Sequence, residues 1–334
     1  MILLLGATGY VGQAFAKELR RRGICFIPLS RSAFDYTRFE LLFDYVRKIR
    51  PELVINAAGF SGRPNLDACE SARMNTFQAN TLLPQTISRV CSMTNTPFGH
   101  VSSGGIYSGS KVFENGHTRV ERDLNEPSVR RLFDNCPEKF IGFCEIDEPN
   151  FSFRNPPCNF QSGTKALAEE ALRGASQTYV WRIRMPFDEH EGSCNFLARL
   201  QGYPKVYDHI TSLSHVQDFV RACLGLVELR APYGTYNVCN PGAVTTRYVV
   251  ELIQRVLKPS RSFEFWSGDE EFYHEAARAP RSCAILDMTK LLRVGVKMRP
   301  LEQALVDALE RWQPSLAAVA SEFRAIEPAN FSRF

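Results

Sequence analysis

Short apolar runs alternate with amphipathic stretches through the first half of the chain. The apolar runs predict strands at residues 2–5, 25–29, 53–57 and 98–102, and the amphipathic stretches predict helices at 13–22, 39–49 and 74–92. A further helix at 163–173 precedes a strand at 179–185, and a late strand is predicted at 235–239. This alternation is typical of an α/β fold with a doubly wound parallel sheet.

The first predicted strand runs directly into the sequence GATGYVG at residues 6–12. A pyrophosphate must approach the backbone where a strand turns into a helix, because glycines leave room there and the helix supplies unpaired N–H groups. Gly6, Gly9 and Gly12 have a suitable spacing. The strand at 53–57 leads into NAAG at residues 56–59, so both strand ends are expected side by side above one sheet. The sequence therefore predicts a dinucleotide site.

Composition excludes several classes of function. The chain has 334 residues, of which 44% are apolar, and is long enough for one large domain with an added lobe. We expect a cytoplasmic protein without membrane contact, because no apolar run approaches about 18 residues and no signal segment precedes the first strand. The ten cysteines lack metal-ligand or CxxC spacing, which indicates free thiols and no metal site. The net charge of +4 is spread out, so nucleic-acid binding is not predicted.

Two stretches interrupt the alternation of strands and helices. Residues 108–150 are long, charged and irregular, which is typical of either a solvated surface insertion or a functional lid. Residues 187–209 depart from the sheet and mark the start of a second lobe. We predict a dinucleotide-binding domain over 1–186, which the strand near 235–240 joins, and a mostly substrate-binding lobe over 187–334.

Four motifs occur in a typical order: GATGYVG, NAAG, VSSGGIY at 101–107 and SGTKALAEE at 162–170. This order resembles the extended short-chain dehydrogenases/reductases, and within them the dTDP-4-dehydrorhamnose reductase branch with the plant-type UDP-4-keto-rhamnose 3,5-epimerase/4-reductase domain. Segments 56–71, 145–151, 182–186, 237–242 and 279–291 are similar to that branch, so the resemblance spans nearly the whole chain. It implies a Rossmann fold and NAD(P)H-dependent reduction, with or without epimerisation, of a nucleotide-linked 4-keto-6-deoxyhexose, as in rhamnose biosynthesis.

The resemblance also implies the catalytic residues. Ser103 matches the family's serine and Lys165 its lysine, but Gln161 stands four residues before that lysine, where the family has tyrosine. A glutamine cannot act as a general acid, although its amide can donate a hydrogen bond to an oxyanion. Tyr107, Cys158 or a water are candidate substitute donors. For Tyr107 we favour an aromatic ring packed beside the nicotinamide, and for Cys158 an inert thiol.

The end of the second strand indicates which cofactor is used. Ser30 and Arg31 stand where an acidic residue would hold the ribose hydroxyls of NAD, which favours NADP(H) and leaves NAD(H) open. The resemblance implies further cofactor contacts from Thr8, Tyr10, Val11, Ala57, Ala58, Gly59, Lys165, Arg184 and Met185, while Asn80 supports the central strands.

On the substrate side, the resemblance implies a nucleotide sugar bound by Arg63, Asn65, Gly104, Asn195, Phe196 and Arg281, the last beside the diphosphate. His215 and Asp218 are interpreted as structural, and a homodimer is an open possibility. Two alternatives to the reductase remain: a sugar-nucleotide epimerase or dehydratase-type enzyme without net reduction, and a catalytically silent NADP(H)-binding protein.

Overall fold

The computed structural model describes residues 1–62 and 65–315. The strands are β1 (Ile2–Leu5), β2 (Phe26–Leu29), β3 (Leu53–Asn56), β4 (Phe98–Ser103), β5 (Ser110–Glu114), β6 (His117–Glu121), β7 (Thr178–Ile183), β8 (Pro186–Phe187), β9 (Lys205–Val206), β10 (Ile210–Thr211), β11 (Ser214–His215), β12 (Gly234–Asn237), β13 (Val244–Thr245) and β14 (Glu264–Phe265). The helices are α1 (Tyr10–Arg21), α2 (Phe39–Ile49), α3 (Ala68–Ser71), α4 (Arg73–Phe77), α5 (Leu83–Met93), α6 (Pro127–Asn135), α7 (Phe160–Ala171), α8 (Phe196–Gly202), α9 (Val216–Glu228), α10 (Thr246–Leu257), α11 (Asp269–Glu275), α12 (Thr289–Arg293) and α13 (Leu301–Glu310).

Six parallel strands form the central sheet in the order β12-β7-β4-β3-β1-β2. Strand β1 lies between β2 and β3, and Leu5 at its end is paired with Leu29 on one side and Asn56 on the other. The sheet therefore grows in opposite directions from β1, which confirms the predicted doubly wound α/β fold. In such sheets a ligand crevice lies at the carboxyl ends of the strands where the order reverses.

Helices cover both faces of this sheet. On one face, α1 and α9 pack through Phe15, Leu19 and Phe219. On the other face, α2 and α5 contribute Leu42 and Ile87 to a second cluster of buried side chains. The strands are apolar without a polar alternation because both of their faces are buried, as in parallel sheets generally.

The predicted single helix at 74–92 is divided in the structure. A π-helical turn, Gln78–Leu82, separates α4 from α5. Pro84 lies in the first turn of α5 and has no N–H to donate to the preceding turn. The helix is therefore π-helical just before it. Smaller differences affect α1, which begins at Tyr10, and α7, which begins after its cap at Asn159.

The carboxyl-terminal half has a hydrophobic core of its own around Phe187, Phe196 and Leu200, packed against α10 and α13. Helix α9, although it follows residue 186, packs on the central sheet beside α1. The division into two domains at residue 186 stays a prediction.

The irregular segment at 108–150 contains regular elements and a buried cluster, while most of β6 is exposed to solvent. Strands β5 and β6 form an antiparallel hairpin that turns at Asn115 and Gly116, both with positive φ. Its buried side chains form a cluster with two residues from the second half of the chain; the members include Val112, Leu124, Val129, Phe133, Phe140, Ile210 and Ile285. The segment is therefore fixed to the rest of the protein by packing.

A buried carboxylate links α1 to α9. Glu18 is 1% exposed and accepts hydrogen bonds from Arg21 at 2.6 Å, Arg22 at 2.7 Å and Gln217 of α9 at 2.9 Å. The hydrogen bond from Arg21, joined by that from Arg22, holds the pKa of Glu18 at about 2. Because this pKa is depressed in the folded state, the stabilisation is present above the ordinary carboxyl range and is lost as the pH falls towards 2.

We predict that Glu18→Gln lowers the free energy of unfolding at pH 7 by about 2 kcal/mol, since it removes charge-assisted hydrogen bonds from a buried site. Urea titrations at pH 7 and at about pH 3 measure the effect, and the difference from the unmodified protein shrinks at the lower pH. Glu40→Gln, in the exposed first turn of α2, serves as the control. An equal loss at both pH values would contradict the assignment.

Candidate active site

The turn between β1 and α1 brings backbone close to backbone. Gly6 has a φ of 76°, and a Cβ built there would lie 2.5 Å from the amide nitrogen of Ala58. A Cβ on Gly12 would lie 2.1 Å from the carbonyl oxygen of Gly6, whereas a Cβ on Gly9 would meet that oxygen at 3.4 Å, an ordinary contact. The fold itself therefore requires glycine at positions 6 and 12. Position 9 stays open for a ligand that approaches the turn from outside.

The amino-terminal end of α1 carries no side-chain cap. Its N-cap is Gly9, and its first turn contains no acidic residue. Thr8 is exposed on the turn, where Gln13 Nε2 donates to its carbonyl oxygen at 2.8 Å, and Val11 packs against the core of the sheet. The unpaired N–H groups and the positive end of the helix dipole suit a pyrophosphate.

Two neighbouring strand ends border the crevice beside this turn. After β2, Ser30 is half-buried with its Oγ 3.0 Å from Ser32 Oγ, and Arg31 is exposed. After β3 the chain continues through the small residues Ala57 and Ala58. Hydroxyl groups and a guanidinium at one end of the crevice suit a phosphorylated ribose.

Asn80 fixes the loop that follows β3. Its amide donates to the carbonyl of Phe60 at 2.9 Å and accepts from the amide nitrogen of the same residue at 2.8 Å. A Cβ on Gly59 would lie 3.3 Å from Asn80 Oδ1 and 3.4 Å from Lys165 Nζ. The lysine ammonium therefore lies beside this loop, and the interpretation of Asn80 as a supporting residue is confirmed.

The three predicted catalytic residues lie at the end of β4 and on α7. Ser103 Oγ accepts from the amide of Gly105 at 3.0 Å, and no described residue accepts its hydroxyl proton. Lys165 is buried and donates to the carbonyl of Val101 at 3.2 Å, and burial lowers its pKa to about 8. Gln161 is half-buried, and its side-chain amide has no hydrogen-bond partner within the described part of the chain. Ser103 and Gln161 thus both keep free hydrogen-bond donors.

A buried ion pair behind Lys165 was not predicted from the sequence. Glu169, one helical turn after that lysine, accepts from Arg182 of β7 at 2.6 and 3.0 Å and from Ser102 of β4 at 2.5 Å. The pair joins α7 to the two strands whose ends form the site. The spacing of four residues from Lys165 was the one signal in the sequence that could have pointed to Glu169.

Tyr107 donates its hydroxyl proton within the fold, so the structure does not support its candidate role as a substitute proton donor. The placement of its ring beside the nicotinamide stays a prediction. Its ring is fully buried and stacks on Phe143, with ring centres 4.8 Å apart. Its hydroxyl donates to the carbonyl of Asp147 at 2.6 Å and accepts from Arg182 at 3.1 Å. Cys158 is half-buried, and burial raises the pKa of its thiol, which agrees with an inert role.

The predicted diphosphate arginine is held by a carboxylate. Arg281 donates from both terminal nitrogens to Asp67, at 2.8 and 2.9 Å, and its Nε has no partner among the described residues. Asn65 is exposed and accepts from the amide of Asp67 at 2.9 Å. Arg63 lies outside the described residues. Asp67 therefore fixes the guanidinium and leaves its Nε side available.

Asn195 and Phe196 are used within the fold. The side chain of Asn195 caps α8 and donates to Asp188 at 2.8 and 2.9 Å and to the carbonyl of His190 at 2.7 Å, and Phe196 is 3% exposed in the core. The structure does not support the prediction that they contact a substrate directly. Tyr10 reaches the same loop with its buried hydroxyl, and burial together with the carboxylate of Asp188 raises its pKa.

Arg184 and Met185 follow β7 and face the same edge of the sheet as Ser103. Arg184 is buried and donates from Nε to Thr211 Oγ1 at 3.1 Å, while Met185 has a φ of 37°. A Cβ on Gly104 would lie 2.4 Å from a side-chain carbon of Leu286, so glycine is required there for packing. The prediction that Gly104 contacts a substrate has no support beyond its position.

His215 and Asp218 are structural, as predicted. The imidazole of His215 caps α9, and Asp218 accepts from Asn240 and from Arg299, each at 2.9 Å. In the described ranges, no group of three or more His, Cys, Asp or Glu side chains has the arrangement of a metal site. All ten cysteines are unpaired. No helix in residues 1–62 or 65–315 combines the length and the apolarity that a membrane span requires.

The family model described as RmlD substrate binding domain matches residues 1–313. Among curated proteins, the bifunctional dTDP-4-dehydrorhamnose 3,5-epimerase/dTDP-4-dehydrorhamnose reductase of Arabidopsis thaliana is 27% identical over 305 residues, which cover 91% of this chain and 90% of the relative. A trifunctional UDP-glucose 4,6-dehydratase/UDP-4-keto-6-deoxy-D-glucose 3,5-epimerase/UDP-4-keto-L-rhamnose-reductase of the same plant is 28% identical. The chain spans 41% of the length of that second relative.

Solved structures share the fold. The L780 UDP-rhamnose synthase of Acanthamoeba polyphaga mimivirus superimposes with a TM-score of 0.77 at 19% identity, over 93% of this chain and 98% of that one. The dTDP-4-dehydrorhamnose reductase of Bacillus anthracis, in complex with NADP, has a TM-score of 0.71 at 18% identity, over 93% and 97%. MoeE5 in complex with UDP-glucose and NAD has a TM-score of 0.64 at 18% identity, with the same coverage. Both nicotinamide cofactors thus occur among structural relatives.

We predict that Gly9→Ala weakens NADPH binding by at least about tenfold while the melting temperature stays within about 2 °C, because the added methyl meets no protein atom closer than 3.4 Å but intrudes on a bound pyrophosphate. Gly12→Ala is the contrasting variant and should lower the melting temperature by several degrees, since its methyl would clash with the Gly6 carbonyl. Fluorescence titration and thermal unfolding measure the two effects. Unchanged NADPH affinity in Gly9→Ala would contradict the placement of the dinucleotide.

Proposed function

The chain belongs to the RmlD substrate binding domain family, and on that premise we propose that it reduces the keto group of a nucleotide-linked 4-keto-6-deoxyhexose with NADPH. The observation that carries the proposal is the convergence of three elements at one sheet edge. The uncapped glycine turn after β1, Ser103 at the end of β4 and Lys165 on α7 all border the crevice where the strand order reverses. The bifunctional epimerase/reductase of Arabidopsis, 90% of whose length aligns with this chain, supports the same class of reaction.

The residues around the crevice fit a nicotinamide dinucleotide phosphate. The glycine turn would hold the pyrophosphate, and Ser30 with Arg31 would hold a 2′-phosphate. Lys165 would reach the nicotinamide ribose beside Gly59. When bound, this cofactor supplies the hydride for reduction.

Ser103 and Lys165 have complementary tasks in this proposal. The Ser103 hydroxyl donates a hydrogen bond to the substrate carbonyl oxygen, where negative charge develops. Lys165 contributes a positive charge in a buried setting, where electrostatic effects are stronger than in water. Gln161 can donate a hydrogen bond but cannot transfer a proton, so the final proton comes from another group or from water.

The unusual glutamine also favours a second candidate function. A protein that binds NADPH and a nucleotide sugar without net reduction would not require an acid at position 161. The fixed guanidinium of Arg281 and the dinucleotide crevice would serve that role unchanged. A cytoplasmic location and a homodimer stay predictions.

The test follows NADPH absorbance with UDP- or dTDP-4-keto-6-deoxyglucose, each with and without a separate 3,5-epimerase, for the unmodified protein and for Gln161→Tyr. We expect slow turnover by the unmodified protein and a faster rate in the variant, because a phenol at the start of α7 restores a proton donor. The same assay with NADH measures the preference for the 2′-phosphate. NADPH binding without turnover in either protein would favour the binding-only function.

A pH profile provides an independent prediction. Burial lowers the pKa of Lys165 to about 8, so its ammonium is present at pH 7 and is lost as the pH rises through 8. The single-turnover rate at saturating NADPH should therefore fall about tenfold per unit above pH 8. Lys165→Arg is the matched control and should be slower but flat to about pH 10, since a guanidinium stays charged. A flat profile in the unmodified protein would exclude Lys165 as the source of the charge.

A further inference from the structure

Arg184 is a buried cation that forms no ion pair with any residue that the structure describes. Its side chain is 5% exposed, and it donates to two neutral oxygens, Thr211 Oγ1 at 3.1 Å and the carbonyl of Ser282. No described carboxylate lies within ion-pair distance of it. Burial lowers its pKa, which expresses the cost of holding the charge there.

The arginine two positions earlier provides a direct comparison. Arg182 is equally buried, but it forms a two-pronged ion pair with Glu169. A charge that is removed from water is normally compensated in this way, because an unpaired buried charge destabilises the fold. Arg184 departs from that rule at the edge of the sheet where ligands bind, and such departures concentrate at functional sites.

The terminal nitrogen Nη1 of Arg184 and the hydroxyl of Ser103 both lie close to Gly105. The position that a Cβ on Gly105 would take is 3.1 Å from Ser103 Oγ, 3.5 Å from Arg184 Nη1 and 3.6 Å from Ser162 Oγ. Nη1 has no acceptor among the described residues. Hydrogen-bond donors thus lie around Gly105, and no described carboxylate pairs with the guanidinium; such a group of donors suits an oxygen that carries negative charge.

We propose that Arg184 is a catalytic residue that stabilises the negative charge on the keto oxygen of the substrate, and so performs the electrostatic part of the task that Gln161 cannot perform. The inference rests on the proposed reduction. As the carbonyl carbon gains the hydride and its two electrons, the π pair of the C=O bond moves to the oxygen, where Arg184 and Ser103 donate hydrogen bonds. Water then supplies the proton that completes the hydroxyl group, and the guanidinium stays protonated throughout.

Thermal unfolding of ligand-free variants separates a functional from a structural cation. Arg184→Met should keep or raise the melting temperature, since it removes an uncompensated buried charge. Arg182→Met should lower it by several degrees, because it leaves Glu169 unpaired. A loss in Arg184→Met as large as that in Arg182→Met would overturn the proposal.

An anion titration tests the site without catalysis. Sodium formate, compared with sodium chloride at equal ionic strength, should raise the melting temperature of the unmodified protein and leave that of Arg184→Met unchanged, because a ligand that binds only the folded state stabilises it. Equal shifts in both proteins would overturn the anion site. This arm remains decisive even if no keto sugar is reduced, so failure of the proposed function can be distinguished from failure of the inference.

Kinetics assign the role. Arg184→Met should lower kcat about a hundredfold or more, with smaller changes in KM and in the affinity for NADPH measured by fluorescence. Arg184→Lys should retain part of the rate, and added guanidinium at millimolar concentration should restore part of it to Arg184→Ala. Unchanged kcat, or a loss confined to NADPH affinity, would overturn the catalytic role.

Discussion

The buried ion pair between Glu169 and Arg182 is the interaction on which the rest of the site depends. It joins α7 to β7, and the hydrogen bond from Ser102 adds β4 to the same junction. Ser103 follows Ser102 directly on β4. Lys165 and Gln161 lie on α7, about one and two helical turns before Glu169. A change in the angle of α7 would therefore move Lys165 relative to Ser103. Buried pairs of this kind are costly to break, which makes the relative position of the elements well defined.

A second constraint sets the opposite side of the crevice. The close approach of Gly6 to the backbone of Ala58 fixes how near the ends of β1 and β3 can lie. The ion pair of Asp67 with Arg281 then ties the loop after β3 to a segment more than two hundred residues later. The backbone contact of Gly6 with Ala58 thus positions one side of the crevice. The ion pair of Asp67 with Arg281 connects the two halves of the chain beside it.

The sequence was sufficient for features that depend on local pattern. Apolar strands predicted the sheet, because strands that are buried on both faces consist of apolar residues. The glycine spacing predicted the turn, because close backbone approach requires glycine. The sequence was insufficient where a side chain could lie either in the site or in the core. Tyr107 lies four residues after Ser103, the end of β4, and this position predicted a contact with the cofactor. In the structure its ring stacks on Phe143 in the core, and its hydroxyl donates to the carbonyl of Asp147. That Arg184 forms no ion pair with a described carboxylate is likewise evident only from the three-dimensional arrangement.

The cluster that fixes the segment at 108–150 has a consequence for biosynthesis. Val112 and Phe133 are buried against Ile210 and Ile285, which the ribosome adds long afterwards. Loop closure over such separations is slow and is completed only after both partners have been synthesised. The central strands can begin to assemble from the amino-terminal half, while this segment exposes apolar side chains until almost the entire chain has emerged. Apolar side chains that stay uncovered during synthesis favour association with other chains, so this segment is a site of that risk.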